Sequence, residues 1–222
     1  MVRIGVVVFP GSNRDIDALN ALRVAGADPV PLWHESADLG GVDGILLPGG
    51  FAYGDYLRAG VIARFSPVMR AVAAHAASGR PLLGICNGFQ ILCEAQLLPG
   101  ALVRNGGLSF VCRPVRVRVE SDATPFTARY RPGQCLTMPV AHGAGRFVAD
   151  DATLDQLERE ERVVFKYVGG NPNGAMRDIA GITNQERNVV GLMPHPERAS
   201  EPLLGSSDGA PMFALAAAAA VA

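Results

Sequence analysis

The sequence predicts an α/β protein: an open, mostly parallel, twisted sheet with helices on both faces, extended by antiparallel strands. Three observations predict it. The first half alternates short β-branched runs with helical stretches, the rhythm of a parallel sheet covered on both faces. The second half changes to strands with one wet face, as in Val115-Arg116-Val117-Arg118-Val119, which suits antiparallel pairing. The chain has 222 residues, 49% hydrophobic and 18% charged, enough to bury a core within a single domain over residues 1–222.

Arg3 to Phe9 is rich in β-branched residues and reads as a buried strand, broken by Pro10-Gly11-Ser12-Asn13. Asp15 to Ala25 follows as an amphipathic helix, with Ala18, Leu19, Leu22 and Ala25 on one side and Ile16 at the margin. Ser12 or Asn13 is its expected N-cap. Asp28 to Trp33 is a second strand, and Pro29 and Pro31 suit an edge position. Val42 to Leu47 is a third strand, ended by Pro48-Gly49-Gly50. A helical stretch from Tyr56 to Ala77, interrupted near Pro67, leads to a fourth strand at Pro81 to Ile85 and a helix over Gly88 to Leu97. Further strands are expected at Val111–Val119, Gln134–Val140, Arg162–Val168, Gly181–Thr183 and Val189–Met193. Asn171-Pro172-Asn173-Gly174 reads as a turn, Asp151 to Glu161 as a short exposed helix, and Ala210 to Ala220 as a closing helix.

Composition excludes several functions. Lys+Arg is 20 against Asp+Glu 21, a net charge of -1, so no basic surplus points to nucleic acid. No apolar run approaches the ~20 residues that span a bilayer, and Ala214–Ala222 is too short. The N-terminal MVRIGVVVFPGSN lacks the longer apolar region and cleavage site of a signal peptide, so a cytoplasmic location is expected. Lys166, the single lysine, sits in Phe-Lys-Tyr, and no Gly-Lys-Ser/Thr phosphate loop exists. If the chain serves ATP-driven chemistry, another protein holds the nucleotide. Cys86, Cys93, Cys112 and Cys135 form no CxxC pair, so no bound metal is expected and the thiols should be reduced and mostly buried.

Three stretches carry chemistry. In Gly84-Ile85-Cys86-Asn87-Gly88 a buried strand runs through a tight turn into a helix. This is a nucleophile elbow with Cys in place of Ser, and the flanking glycines leave room for the turn. The sulfur should project from the carboxyl edge of the sheet, at a helix N-terminus that favours a thiolate. Met193-Pro194-His195-Pro196-Glu197-Arg198 follows a strand. Pro196 pushes His195 toward an extended conformation, which puts His195 and Glu197 on one side as a base and its orienter. Leu47-Pro48-Gly49-Gly50-Phe51 ends another strand. Its backbone can turn N–H groups into a pocket, so Gly50 and Asn87 are the candidate oxyanion donors. His34, His75 and His142 are weaker candidates for the base, because no carboxylate follows them at this spacing. A stand-alone Cys hydrolase or peptidase, and a non-catalytic scaffold, are the competing readings at this point.

Elbow, Gly-Gly turn and His-Pro-Glu together resemble the class I (triad) glutamine amidotransferases. The segments from Phe9 to Asn13, Pro48 to Gly60, Gly84 to Gln90, Pro139 to Gly143, Gly169 to Gly174, Met193 to Arg198 and Leu204 to Gly209 are similar to the family of glutaminase subunits of phosphoribosylformylglycinamidine synthase. Ala144 departs from a frequent Glu of that family. The resemblance implies a flavodoxin-like sheet and a Cys86–His195–Glu197 triad that releases ammonia from glutamine, with Phe51, Gln90, Asn105 and His142 as substrate contacts. It further implies no cofactor on this subunit, ATP and Mg on a partner synthetase subunit, and a small accessory subunit in the same purine-pathway complex.

Overall fold

The computed structural model describes residues 1–216. Nine strands form one sheet in the order β2-β1-β3-β4-β11-β10-β9-β6-β7. The parallel half consists of β1 (Arg3–Val8), β2 (Asp28–Trp33), β3 (Gly44–Leu47), β4 (Leu82–Ile85) and β11 (Val189–Leu192). The antiparallel half adds β10 (Ile179–Thr183), β9 (Val163–Val168), β6 (Val111–Val119) and β7 (Cys135–His142). The expected mixed sheet is therefore present, and β2 with its two prolines lies at its edge.

The chain moves one way from β1 to β2 and the opposite way from β3 to β4. Right-handed crossovers then place α1 (Asp15–Val24) and α2 (Pro67–Ala77) on opposite faces. β3 and β4 are buried along their whole length, as sandwiched parallel strands must be. In β6 only Val115, Val117 and Val119 are buried, while the intervening arginines are exposed. α3 (Asn87–Glu94) is buried from Asn87 to Cys93, and Phe89 stacks on Phe147 at a centroid distance of 6.0 Å.

Several expectations need correction. The N-cap of α1 is Arg14, with no side-chain cap; acidic Asp15 and Asp17 in the first turn complement the helix dipole instead. Ile16 is exposed, and Ala21 takes its place on the buried face. Tyr56 to Ile62 is not helical: a short 3-10 turn at Ala63–Phe65 precedes α2, because Ser66-Pro67 starts a new helix with Pro in its first turn. β5 (Ala101–Val103) pairs with β8 (Arg146–Val148) in a second, two-stranded sheet that three-residue strands left invisible in the sequence. α4 (Asp151–Arg159) is amphipathic, capped by Asp150 and anchored by buried Leu154 and Leu157. Cys112 and Cys135 are exposed, so only Cys86 and Cys93 fit the expectation of buried thiols. α5 spans Ala210–Ala216; the rest of the closing helix expected to Ala220 lies outside the described residues. Among the described residues no helix is long and apolar enough to cross a membrane.

Candidate active site

The strand order reverses at β1, and the loops leaving β1 and β3 meet there. Ser12 and Gly50 bridge, and the Phe51 N–H donates to the Gly11 carbonyl at 3.1 Å. Open α/β sheets bind ligands at this kind of switch point. β4 and β11 pair in parallel with Ile85 opposite Leu192, so the residues that follow, Cys86 and the His195 segment, emerge side by side.

Cys86 has φ 49° and ψ −101°, a sparsely populated positive-φ conformation that costs a non-glycine residue roughly 1–3 kcal/mol. It is held by its N–H to the Leu192 carbonyl at 2.8 Å, while its own carbonyl accepts from the Gln90 N–H at 3.1 Å. The glycine after the elbow is required by close approach: a Cβ on Gly88 would overlap the Leu47 carbonyl oxygen. The elbow is thereby wedged against the end of β3, next to the Gly-Gly turn.

His195 and Glu197 come together as expected, by a different route. His195 is extended (φ −106°, ψ 88°), but Pro196–Arg198 is a 3-10 turn that brings the carboxylate back under the ring. His195 Nδ1 donates to Glu197 Oε1 at 2.5 Å, and both residues are buried. Burial alone would pull the imidazolium pKa down. The Glu197 carboxylate and the nearby Cys86 sulfur outweigh it and raise the pKa well above the usual histidine range. Among the described residues Nε2 of His195 has no hydrogen-bond partner, and the Cys86 thiol is close enough to couple to the ring; Nε2 is the atom left to exchange a proton with that thiol.

The sulfur does not project into solvent. Cys86 is 4% exposed, and its Sγ lies 3.8 Å from the Ala141 carbonyl, because the C-terminal end of β7 packs against the loop that carries His195, whose N–H donates to the Pro139 carbonyl at 2.8 Å. Gly50 adopts φ +143°, and a Cβ there would stand 2.8 Å from the Asn13 nitrogen. Its N–H and that of Asn87 are taken by no other acceptor among the described residues. Two free backbone donors that converge on a reacting carbonyl can stabilise an oxyanion. Cys93, seven residues on, is sealed in the core with its thiol pKa pushed up by burial.

The four expected substrate contacts divide. Phe51 is partly exposed and lines a groove of about 490 Å³ with Asp55, Ala59, Phe110, Gly143 and Ala144. The polar atoms of the other three are used internally. Gln90 accepts from Asn87 Nδ2 at 2.8 Å and donates to the Ala144 carbonyl at 2.7 Å. Asn105 donates to the carbonyls of Ser109 and His142, both at 2.9 Å. His142 Nδ1 donates to Asn105 Oδ1 at 3.1 Å, and its Nε2 faces Asn173 Nδ2 at 3.4 Å. Burial, and then the charge of His195, push the His142 pKa down to about 4, so this ring is a neutral strut. These three form a hydrogen-bonded wall, and Gly143 and Ala144 beside it line the groove that Phe51 borders.

Sequence reading missed the residues that hold this wall. Asn173 Nδ2 donates to the Gly145 carbonyl at 2.8 Å and to the Tyr167 hydroxyl at 3.2 Å. Asn171 Oδ1 accepts from the N–H groups of Asn173, Gly174 and Ala175. The turn over 171–174 was legible, but its aim at His142 was not. His34 serves the structure as well, since its Nδ1 and Ser66 Oγ each lie 2.8 Å from the Tyr53 hydroxyl. That contact anchors a segment in which Tyr53, Asp55 and Leu57 all have left-handed φ values of 54°, 53° and 68°. Asp55, half-buried in the segment, has its pKa raised to about 6 by desolvation.

The chain is similar to proteins of known family. The CobB/CobQ-like glutamine amidotransferase domain pattern matches residues 1–209. The phosphoribosylformylglycinamidine synthase subunit PurQ of Rubrobacter xylanophilus is 64% identical over 208 residues, covering 94% of each chain. That of Frankia casuarinae is 59% identical over 212 residues, 95% of this chain and 91% of its own. Among solved structures, a chain of PurLQS from Thermotoga maritima is 44% identical with a TM-score of 0.88, covering 96% of this chain and 95% of that one. The chain belongs to the glutamine amidotransferase family, and within it to the PurQ subunits of phosphoribosylformylglycinamidine synthase.

Proposed function

We propose that this chain hydrolyses glutamine within a phosphoribosylformylglycinamidine synthase and hands the ammonia to a synthetase subunit. His195 holds the thiol proton, and the Cys86 thiolate attacks the side-chain amide carbon of glutamine. The carbonyl oxygen becomes an oxyanion facing the N–H groups of Gly50 and Asn87. The C–N bond breaks as His195 protonates the leaving nitrogen, giving ammonia and a γ-glutamyl thioester. Water, deprotonated by His195, then attacks the thioester; glutamate leaves and the thiol is restored. Glu197 keeps the imidazole oriented throughout.

The observation that carries this reading is the buried His195–Glu197 pair with Nε2, unpartnered among the described residues, coupled to Cys86. The partners proposed are the ATP- and Mg-using synthetase subunit, which converts formylglycinamide ribonucleotide to the amidine, and a small accessory subunit. The place of action proposed is the cytoplasm, and no cofactor is assigned to this chain. The solved relative in an assembly called PurLQS supports a multi-subunit context.

The test is mass spectrometry after exposure to a diazo-ketone analogue of glutamine. The exposed Cys112 and Cys135 are internal controls. Adduction is expected at Cys86. Labelling of Cys112 or Cys135 with Cys86 untouched would refute the reading.

A further inference from the structure

We propose that the side chain of Asn87 is a positioning residue that clasps the two oxyanion donors together. The inference rests on the reading of Cys86 as the glutaminase nucleophile. Asn87 supplies one donor through its backbone N–H. Its side chain reaches the segment that carries the other: Oδ1 accepts from the Ala52 N–H at 3.0 Å, two residues beyond Gly50. Nδ2 donates to Gln90 Oε1 at 2.8 Å and to Asp55 Oδ1 at 3.4 Å.

Every group in this chain of contacts has one permitted direction. The Ala144 carbonyl only accepts, so it fixes the Gln90 amide with Nε2 toward it at 2.7 Å. Gln90 Oε1 then requires a donor, which orients Asn87 Nδ2. The remaining Asn87 oxygen meets Ala52 N–H, which only donates. Asn87 is 1% exposed, so water cannot replace a lost contact cheaply. The clasped segment is also strained, with Tyr53, Asp55 and Leu57 in the left-handed region. Strain of this kind persists only while surrounding contacts over-determine it. Released from Asn87, the segment can relax and carry the Gly50 N–H off the oxyanion position. Because those donors act on charge that develops in the transition state, the loss should fall on kcat more than on KM.

The experiment uses the subunit assembled with its synthetase and follows glutamate release. Asn87→Ala retains the backbone donor. It is expected to lower kcat by about tenfold or more, below the hundred- to thousandfold of a deleted donor, with KM within about threefold. Cys86 alkylation by iodoacetamide should be unchanged. Ala52→Pro removes the donating N–H from the other end and should reproduce the loss, and it decides the matter alone if Asn87→Ala does not fold. The double variant should be no worse than either single one. An unchanged kcat, a matching collapse of alkylation, or additive losses would each overturn the clasp. Absence of glutamine turnover in the wild-type complex would instead overturn the functional reading beneath it.

Discussion

Gly49 and His195 are in contact so close that no side chain fits between them. A Cβ on Gly49 would lie 2.7 Å from Cε1 and 3.3 Å from Nδ1 of the His195 ring. The Gly-Gly turn therefore forms one wall of the imidazole's slot, close to the ring edge whose Nδ1 binds Glu197. Gly49→Ala should displace the ring by a fraction of an ångström while leaving the fold intact. Misplacement on the order of 1 Å can cost about a hundredfold in rate, and we expect kcat/KM for glutamine to fall by about tenfold to a hundredfold. Kinetics alongside thermal melting check it; an active variant with wild-type kcat/KM would contradict the slot.

Cys86→Ala removes the sulfur and keeps the elbow's shape. In the assembled complex it should abolish glutamine-dependent synthesis and spare synthesis from added ammonia. Loss of both activities would assign Cys86 a structural role.

The closed state of the sulfur, held near the Ala141 carbonyl with Cys86 almost entirely buried, predicts weak activity in isolation. Glutamine is expected to reach Cys86 once the surrounding segments open. Glutaminase rates should rise when the synthetase subunit is added, as expected where a conformational step gates the chemistry. Equal rates with and without the partner would exclude such gating.

His142 sets an acid limit on stability. Its native pKa of about 4 lies below the ordinary value near 6.5, so the unfolded chain binds the extra proton first. The stability held by neutral His142 is complete above about pH 6.5 and is lost as pH falls toward 4, up to about 3 kcal/mol. NMR titration should show the His142 ring protons unchanged from pH 8 to about pH 5. A midpoint near 6.5 would show that the ring is solvated.

Much of the architecture was legible because it depends on local pattern. Strand β2 at the edge follows from Pro29 and Pro31, the parallel half from uninterrupted apolar strands, and β6 from alternating Val and Arg. The elbow glycines, the Gly-Gly turn and His-Pro-Glu likewise announced their chemistry at short range. The segment Tyr56 to Ile62 misled, since an apolar pattern without a cap resembles a helix; its true path depends on the Tyr53 hydroxyl meeting His34 and Ser66, and on Arg58 meeting Glu94.

The sequence alone determined which groups can react: a thiol at a tight turn, an imidazole, a carboxylate, and backbone amides released by glycine. Those properties belong to residue types and near-neighbour geometry. Only the tertiary structure decided how they are held. It buried the sulfur under the Ala141 segment, made Gln90, Asn105 and His142 members of an internal hydrogen-bonded wall, and joined Ala52 to Asn87 across 35 residues. Each of these depends on satisfying buried polar groups between segments far apart in the chain. That matching is set by the packed sheet and its loops together, so no single stretch of sequence carries it.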